Sequence, residues 1–253
     1  MFGSRILLLA PHPDDELAGC CAAIGRARAQ GSSLSIAFLT TGIPARERLW
    51  PWDRASYAAR VERRRDEARG VCAELGAEIV HVSEIAARRL KNALRATRDQ
   101  VVKLCAARQA DTLWVPAYEG GHPDHDAANF LASTLRLALP VWEFSEYNFQ
   151  GGRVHSNEFP AANGSEVELK LSDAERRLKR TLLAMYASER GNLNYLRTER
   201  EVFRPLGDYD YSRPPHAGTL FYRRFAWASF HPRVNEVRPE EVSSAIAEFR
   251  GPD

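Results

Sequence analysis

The stretch Ile6-Leu7-Leu8-Leu9-Ala10-Pro11-His12-Pro13-Asp14-Asp15-Glu16 decides how the chain is read. An aliphatic run ended by a proline reads as a buried strand, and the helical stretch behind it puts His12 to Glu16 at the strand's carboxyl end. In an open α/β sheet, that end faces the crevice where ligands bind. His12 can offer a neutral imidazole nitrogen to a metal and Asp15 a carboxylate to the same ion, with Asp14 as a second carboxylate beside them. A plainer account is that three acids in the first turn of a helix favour the positive end of its dipole. That explains the carboxylates and leaves His12 unexplained.

A second cluster, Gly120-Gly121-His122-Pro123-Asp124-His125-Asp126, stands far along the chain and again directly behind a strand-like run, Thr112-Leu113-Trp114-Val115. In a doubly wound sheet the first and fourth strands are neighbours at the topological switch point, so the two clusters are expected to face each other.

The rest of the chain supports such a sheet. A helix is expected over 16–30, stopped by Gly31, then a strand over 34–39. A long helix over 55–75 closes at Gly76 and is preceded by the aromatic loop Leu49-Trp50-Pro51-Trp52-Asp53, whose tryptophans either anchor the loop or cover a pocket. A strand over 78–82, a helix over 88–108, the strand over 112–115, a helix from 124 to about 137 and a strand over 141–144 follow. This alternation predicts an α/β fold, a Rossmann-like mostly parallel sheet with helices on both faces, over residues 1–147. No G-x-G-x-x-G follows the first strand, which argues against a dinucleotide.

Beyond Tyr147 the alternation stops. Residues 148–253 are expected to form a smaller α+β extension walling the cleft. It would hold a helix over 172–190 opened by Ser172, an irregular stretch over 203–216, and a last strand pair at 220–222 and 225–227.

With 253 residues, 44% hydrophobic and 27% charged, the chain has the composition of an ordinary soluble globular protein and is long enough for one large domain. Its net charge of +2 gives no electrostatic case for a nucleic-acid partner, and no apolar run is long enough to span a membrane, so a cytoplasmic protein is expected. The 4 cysteines lack zinc-ribbon or redox spacing and are expected to be free thiols.

Two histidines and a carboxylate on a divalent ion leave a position for water, which the ion would bring to a pKa of about 7. Hydrolysis of an amide or ester then needs a group to move a proton from water to the leaving amine, and Asp14 is free for it. His122 and His125 are three apart, a spacing that on a helix does not readily bring both to one ion. If one ligates, the other stands at the rim, able to stabilise an oxyanion or protonate a leaving group. Asp124 and Asp126 are candidates for hydrogen bonds that fix an imidazole tautomer. Arg60-Val61-Glu62-Arg63-Arg64-Arg65-Asp66-Glu67 reads by itself as a solvated helix face. No G-x-S-x-G supports a serine hydrolase.

The strand followed by Pro11-His12-Pro13-Asp14-Asp15-Glu16, together with Gly121-His122-Pro123-Asp124-His125, resembles the PIG-L (LmbE-like) family of zinc-dependent N-acetyl deacetylases over about residues 3–145. The resemblance implies Zn2+, with Fe2+ as an alternative, held by His12, Asp15 and His125, with Asp14 as general base and His122 assisting at the tetrahedral intermediate. It implies that Arg64, three residues before Glu67, holds substrate hydroxyls, and it makes His216 in the carboxyl-terminal region a candidate to complete the pocket. The implied substrate is a small-molecule N-acetylated amino sugar or glycoside such as an N-acetylglucosamine derivative. The family also contains thiol-conjugate amidases, and its oligomeric members make a homo-oligomer a further expectation. Two departures bear on the substrate: 83–88 offers no clear counterpart of the family's sugar-binding aspartate, and Gly120 stands where some members carry a tyrosine. A metal- or carbohydrate-binding protein without turnover is the reading from outside the enzymes.

Overall fold

A computed structural model describes residues 1–228 and 236–251, so 229–235 and 252–253 of the expected extension lie outside the described residues. The elements in chain order are β1 (Arg5–Ala10), α1 (Asp15–Ala18), α2 (Cys21–Ala29), β2 (Ser33–Phe38), α3 (Tyr57–Leu75), β3 (Glu78–Val82), α4 (Leu94–Ala107), β4 (Thr112–Pro116), α5 (Pro123–Ser133) and β5 (Val141–Phe144). After them come β6 (Tyr147–Asn148), β7 (His155–Ser156), β8 (Val167–Lys170), α6 (Asp173–Met185), β9 (Arg200–Pro205) and α7 (Pro239–Arg250).

The main sheet runs β3-β2-β1-β4-β5-β9-β8. Its first five strands are parallel, as the alternation predicts, and β1 pairs with β2 on one side and β4 on the other. β1 is buried on both faces because its side chains alternate between two cores. Leu7 and Leu9 pack with α4, α5 and α7, and Ile6, Leu8 and Ala10 pack with α2, α3 and α6. The reversal of strand order between β1 and β4 leaves a crevice at their carboxyl ends, where both histidine clusters lie.

The departures from the sequence reading have physical causes. The helix expected over 16–30 breaks at Gly19-Cys20, where Cys20 leaves helical geometry (φ −144°, ψ 20°). A Cβ at Gly19 would sit 2.1 Å from Phe144 Cδ2, so the break lets the chain pass the β5 side chain. The Glu201 carboxylate then accepts from the amides of Ala22 (3.0 Å) and Ala23 (2.9 Å), capping α2 from across the sequence. The helix expected from 88 starts later because Arg88 has φ 70°, and a 3-10 turn (Leu90–Ala93) precedes α4.

The strand pair expected at 220–222 and 225–227 is not formed. Phe221–Arg223 is a 3-10 turn followed by further turns, and the antiparallel strands of the main sheet are β9, beside β5, and β8, beside β9, with β6 and β7 pairing antiparallel in a sheet of their own. The stretch read as irregular from Phe203 therefore begins inside β9. Arg200, Glu201 and Arg204 hid this strand, and the last two are in fact buried against Lys179 and Glu143. Finally, α7 was not foreseen. Val242 and Ile246 bury its apolar stripe in the same core as α5.

Ser172 caps α6 as expected, accepting from Glu175 N while the Glu175 carboxylate accepts from Ser172 N. The cysteines are free thiols. No helix among the described residues is long and apolar enough to cross a membrane.

Candidate metal centre

At the carboxyl end of β1 the backbone doubles back. His12 N donates to Asp15 Oδ2 at 2.6 Å, and Asp14 is forced to φ 126° and ψ −23°, a region that L residues seldom occupy. The turn is braced from below: Asp14 N donates to Glu16 Oε2 (2.9 Å), and the buried Tyr186 hydroxyl donates to Glu16 Oε1 (2.6 Å). Strain of this kind costs about 1–3 kcal/mol and persists where the surroundings over-determine it.

Across the switch point, His122 caps α5 in extended geometry (φ −142°, ψ 143°), and its Nδ1 accepts from Asp124 N at 3.2 Å. An accepting Nδ1 leaves the proton of the neutral ring on Nε2. Burial, with the charges of His12, Arg88 and His125, holds His122 well below the usual histidine range, consistent with a neutral ring. Because His122 lies outside the helix proper, the three-residue spacing does not hold it away. His12, His122 and His125 each bring a nitrogen within 4.8 Å of the others.

His12, Asp15 and His125 come closer still. His12 Nδ1 lies 3.3 Å from His125 Nε2 and 3.4 Å from Asp15 Oδ2, and His125 Nε2 lies 3.3 Å from Asp15 Oδ1. Four ligands at zinc-like bond lengths of about 2.0–2.1 Å in a tetrahedron are about 3.3–3.4 Å apart. The two imidazole nitrogens have that separation, and each has it to one Asp15 oxygen, His12 to Oδ2 and His125 to Oδ1. His12 Nε2 is 3.1 Å from Asp124 Oδ2, and Asp124 also accepts from Arg88 N (2.5 Å) and Leu90 N (3.1 Å). That carboxylate keeps the proton on Nε2 and turns the bare Nδ1 toward Asp15 and His125. Asp126 instead holds the Gly120 amide (3.1 Å).

The field at this point favours positive charge. Burial alone would lower the His12 pKa, yet Asp15 and Asp124 raise it to about 10. Burial alone would raise Asp15, yet His125 and His12 hold it well below the usual carboxylate range. Such a field, with two imidazoles and a carboxylate at contact distances, suits a divalent cation.

Asp14 Oδ2 accepts from Arg64 Nη2 at 2.8 Å. Arg64 is itself buried: its Nη1 is 3.1 Å from both Ser188 Oγ and Glu189 Oε1, and its guanidinium lies 5.1 Å from the Tyr186 ring centroid. Its fork is therefore engaged by Asp14 and the 188–189 turn, although it does line the cavity. Burial, opposed by Arg64 and helped by Asp15, raises the Asp14 pKa to about 7.

These groups open into a cavity of about 170 Å³ lined by His12, Asp14, Asp15, Arg64 and His122. Its other walls were missed in the sequence: Arg88, Glu146, Tyr147, Asn192, Tyr195, Phe221 and Arg224. Glu146 and Tyr147 follow β5 as His122 follows β4, and that position was the available signal. Nothing in local spacing marked the residues beyond 190. His216 does not line this cavity. Its Nε2 lies 3.4 Å from where a Gly120 Cβ would be, and its Nδ1 lies 2.8 Å from Ala217 O. Trp50 and Trp52 stack at 5.0 Å, and Trp50 lines a neighbouring cavity of about 210 Å³ rather than this one. The Tyr118 hydroxyl donates to Arg213 O at 2.5 Å and braces the 211–218 loop.

A model of the PIG-L family, described as GlcNAc-PI de-N-acetylase, matches residues 7–135. No curated protein matches the chain. Among solved structures, a deacetylase of teicoplanin biosynthesis in complex with bog is similar at 18% identity and TM-score 0.64, over 81% of this chain and 99% of that one. N,N'-diacetylchitobiose deacetylase from Pyrococcus horikoshii is similar at 16% identity and TM-score 0.56, over 84% of each chain. GalB, the 4-carboxy-2-hydroxymuconate hydratase from Pseudomonas putida KT2440, is similar at 16% identity and TM-score 0.53, over 82% of this chain and 98% of that one. At these identities the likeness establishes the fold.

Proposed function

The chain belongs to the PIG-L family, and on that premise we propose that it is a zinc-dependent hydrolase that removes an acetyl group from the nitrogen of an N-acetylated amino sugar or glycoside. The observation that carries this reading is the triangle of His12, Asp15 and His125 donors with Asp14 held beside it. A deacetylase in complex with teicoplanin and an N,N'-diacetylchitobiose deacetylase, both among the structural neighbours, support the substrate class.

His12 Nδ1, Asp15 and His125 Nε2 would hold the ion, and a bound Zn2+ supplies Lewis-acid polarisation of the carbonyl and a water of pKa near about 7. Asp14 takes the proton from the attacking water, and Arg64 fixes the orientation of its carboxylate. As water oxygen bonds to the acetyl carbon, the carbonyl oxygen gains charge, and the His122 Nε2–H is the donor available to it. The carbon–nitrogen bond then breaks, and the proton held by Asp14 passes to the leaving nitrogen, giving amine and acetate. Asp124 fixes the His12 tautomer.

A hydratase shares the fold, so the decisive readout is the product. Metal-replete protein is offered a panel of N-acetylated sugars and N-acyl thiol conjugates, and free amine and acetate are scored. Stoichiometric amine and acetate from a sugar supports the proposal. Amine only from thiol conjugates moves the substrate to that class, and release of neither from any amide overturns the deacetylase reading.

A further inference from the structure

We propose that Glu146 is a fourth protein ligand of the cation centre, its carboxylate taking up the ion jointly with Asp15 and His125. The inference rests on the metal reading above. Glu146 is fully buried, and neither of its carboxylate oxygens has a hydrogen-bond partner. One of them lies within 4.8 Å of donor atoms on both Asp15 and His125, forming a second donor triangle that meets the histidine triangle at His125.

The chain holds this carboxylate in place. Glu146 N donates to Glu119 Oε1 at 2.7 Å, and Glu146 O accepts from Asn157 N at 2.9 Å. Gly19 leaves space for it, since a Cβ there would lie 3.1 Å from Glu146 Cγ. The charges around it are mostly negative: Asp15, Glu119 and Asp14. Lys179, the nearby cation, already donates to Ala18 O and Glu201 Oε1, each at 2.9 Å.

A carboxylate buried without hydrogen bonds among other carboxylates takes up a proton unless a cation pairs with it. A divalent ion among Asp15, His125 and Glu146 supplies both the missing charge and the missing partner. His12 adjoins this triangle through its Nδ1, 3.3 Å from His125 Nε2, and a catalytic zinc sometimes accepts a fifth ligand.

The test compares the full-length wild-type protein with Glu146→Gln, which keeps the shape and removes the charge. Metal-stripped samples are titrated with Zn2+ against a chromophoric chelator, and the visible spectrum of the Co2+ forms is recorded. We expect Glu146→Gln to bind Zn2+ at least 10-fold more weakly and to shift the Co2+ bands, with unchanged far-UV dichroism. Equal affinity and an identical Co2+ spectrum overturn the assignment while leaving the metal reading intact. A wild-type chain that takes up no ion overturns both. Should the glutamine variant not fold, Glu146→Asp decides by the same titrations: a displaced Co2+ spectrum supports ligation, and an unchanged one refutes it.

Discussion

Asp14 carries a strained backbone, a buried carboxylate and an arginine partner at one position, so it is the residue at which the account is most exposed. Asp14→Asn preserves the Glu16 brace and every proposed ion ligand but cannot accept a proton. It is expected to bind metal as the wild type does and to lose about 10²–10⁴-fold in kcat, measured by amine release with metal content determined in parallel. Turnover within 10-fold of wild type would remove Asp14 from the mechanism. The convergence of His12, Asp15 and His125 was legible in the sequence because the two clusters stand in equivalent positions behind two strands. The Arg64–Asp14 pair was not, because the arginine sits on a helix whose neighbours are solvated and only the fold turns it inward. His122 was legible as a rim group, but its tautomer follows from the Asp124 amide, which no spacing reveals.

At the scale of elements, the break between α1 and α2 is what admits Phe144 and Glu146 to the space beneath the site. Gly19→Ala would drive a methyl into Phe144 and should destabilise the protein by about 1–3 kcal/mol, read as a lower melting temperature and a lower urea midpoint. An unchanged midpoint would show that Phe144 can move aside. The α2 cap is a longer-range device: Lys179 and Glu201, both fully buried, share a 2.9 Å ion pair while Glu201 accepts the Ala22 and Ala23 amides. Lys179→Met leaves that carboxylate buried without its cation and is expected to cost about 3–5 kcal/mol in chemical denaturation, with a loss under 1 kcal/mol contradicting the pairing. Strands and helices with strong apolar periodicity were legible to within a few residues. Those whose polar residues are satisfied by distant partners, β9 above all, were not, because local pattern cannot distinguish a solvated charge from a paired one.

The whole molecule places two segments, far apart in sequence, on adjacent strands of one sheet. The strand order through β5 follows from alternation, while β9 and β8 extend the same sheet beyond the parallel core. Residues such as Tyr195 and Arg224 line the cavity from the carboxyl-terminal region, where the sequence was least informative. The central claim is that the carboxyl ends of β1 and β4 jointly grip one divalent cation. The direct measurement is anomalous X-ray diffraction at the zinc edge on crystals of catalytically active protein. The account predicts one peak per chain, at about 2.0–2.2 Å from His12 Nδ1, an Asp15 oxygen and His125 Nε2. Active protein with no peak between His12 and His125, or with its metal elsewhere, would contradict it.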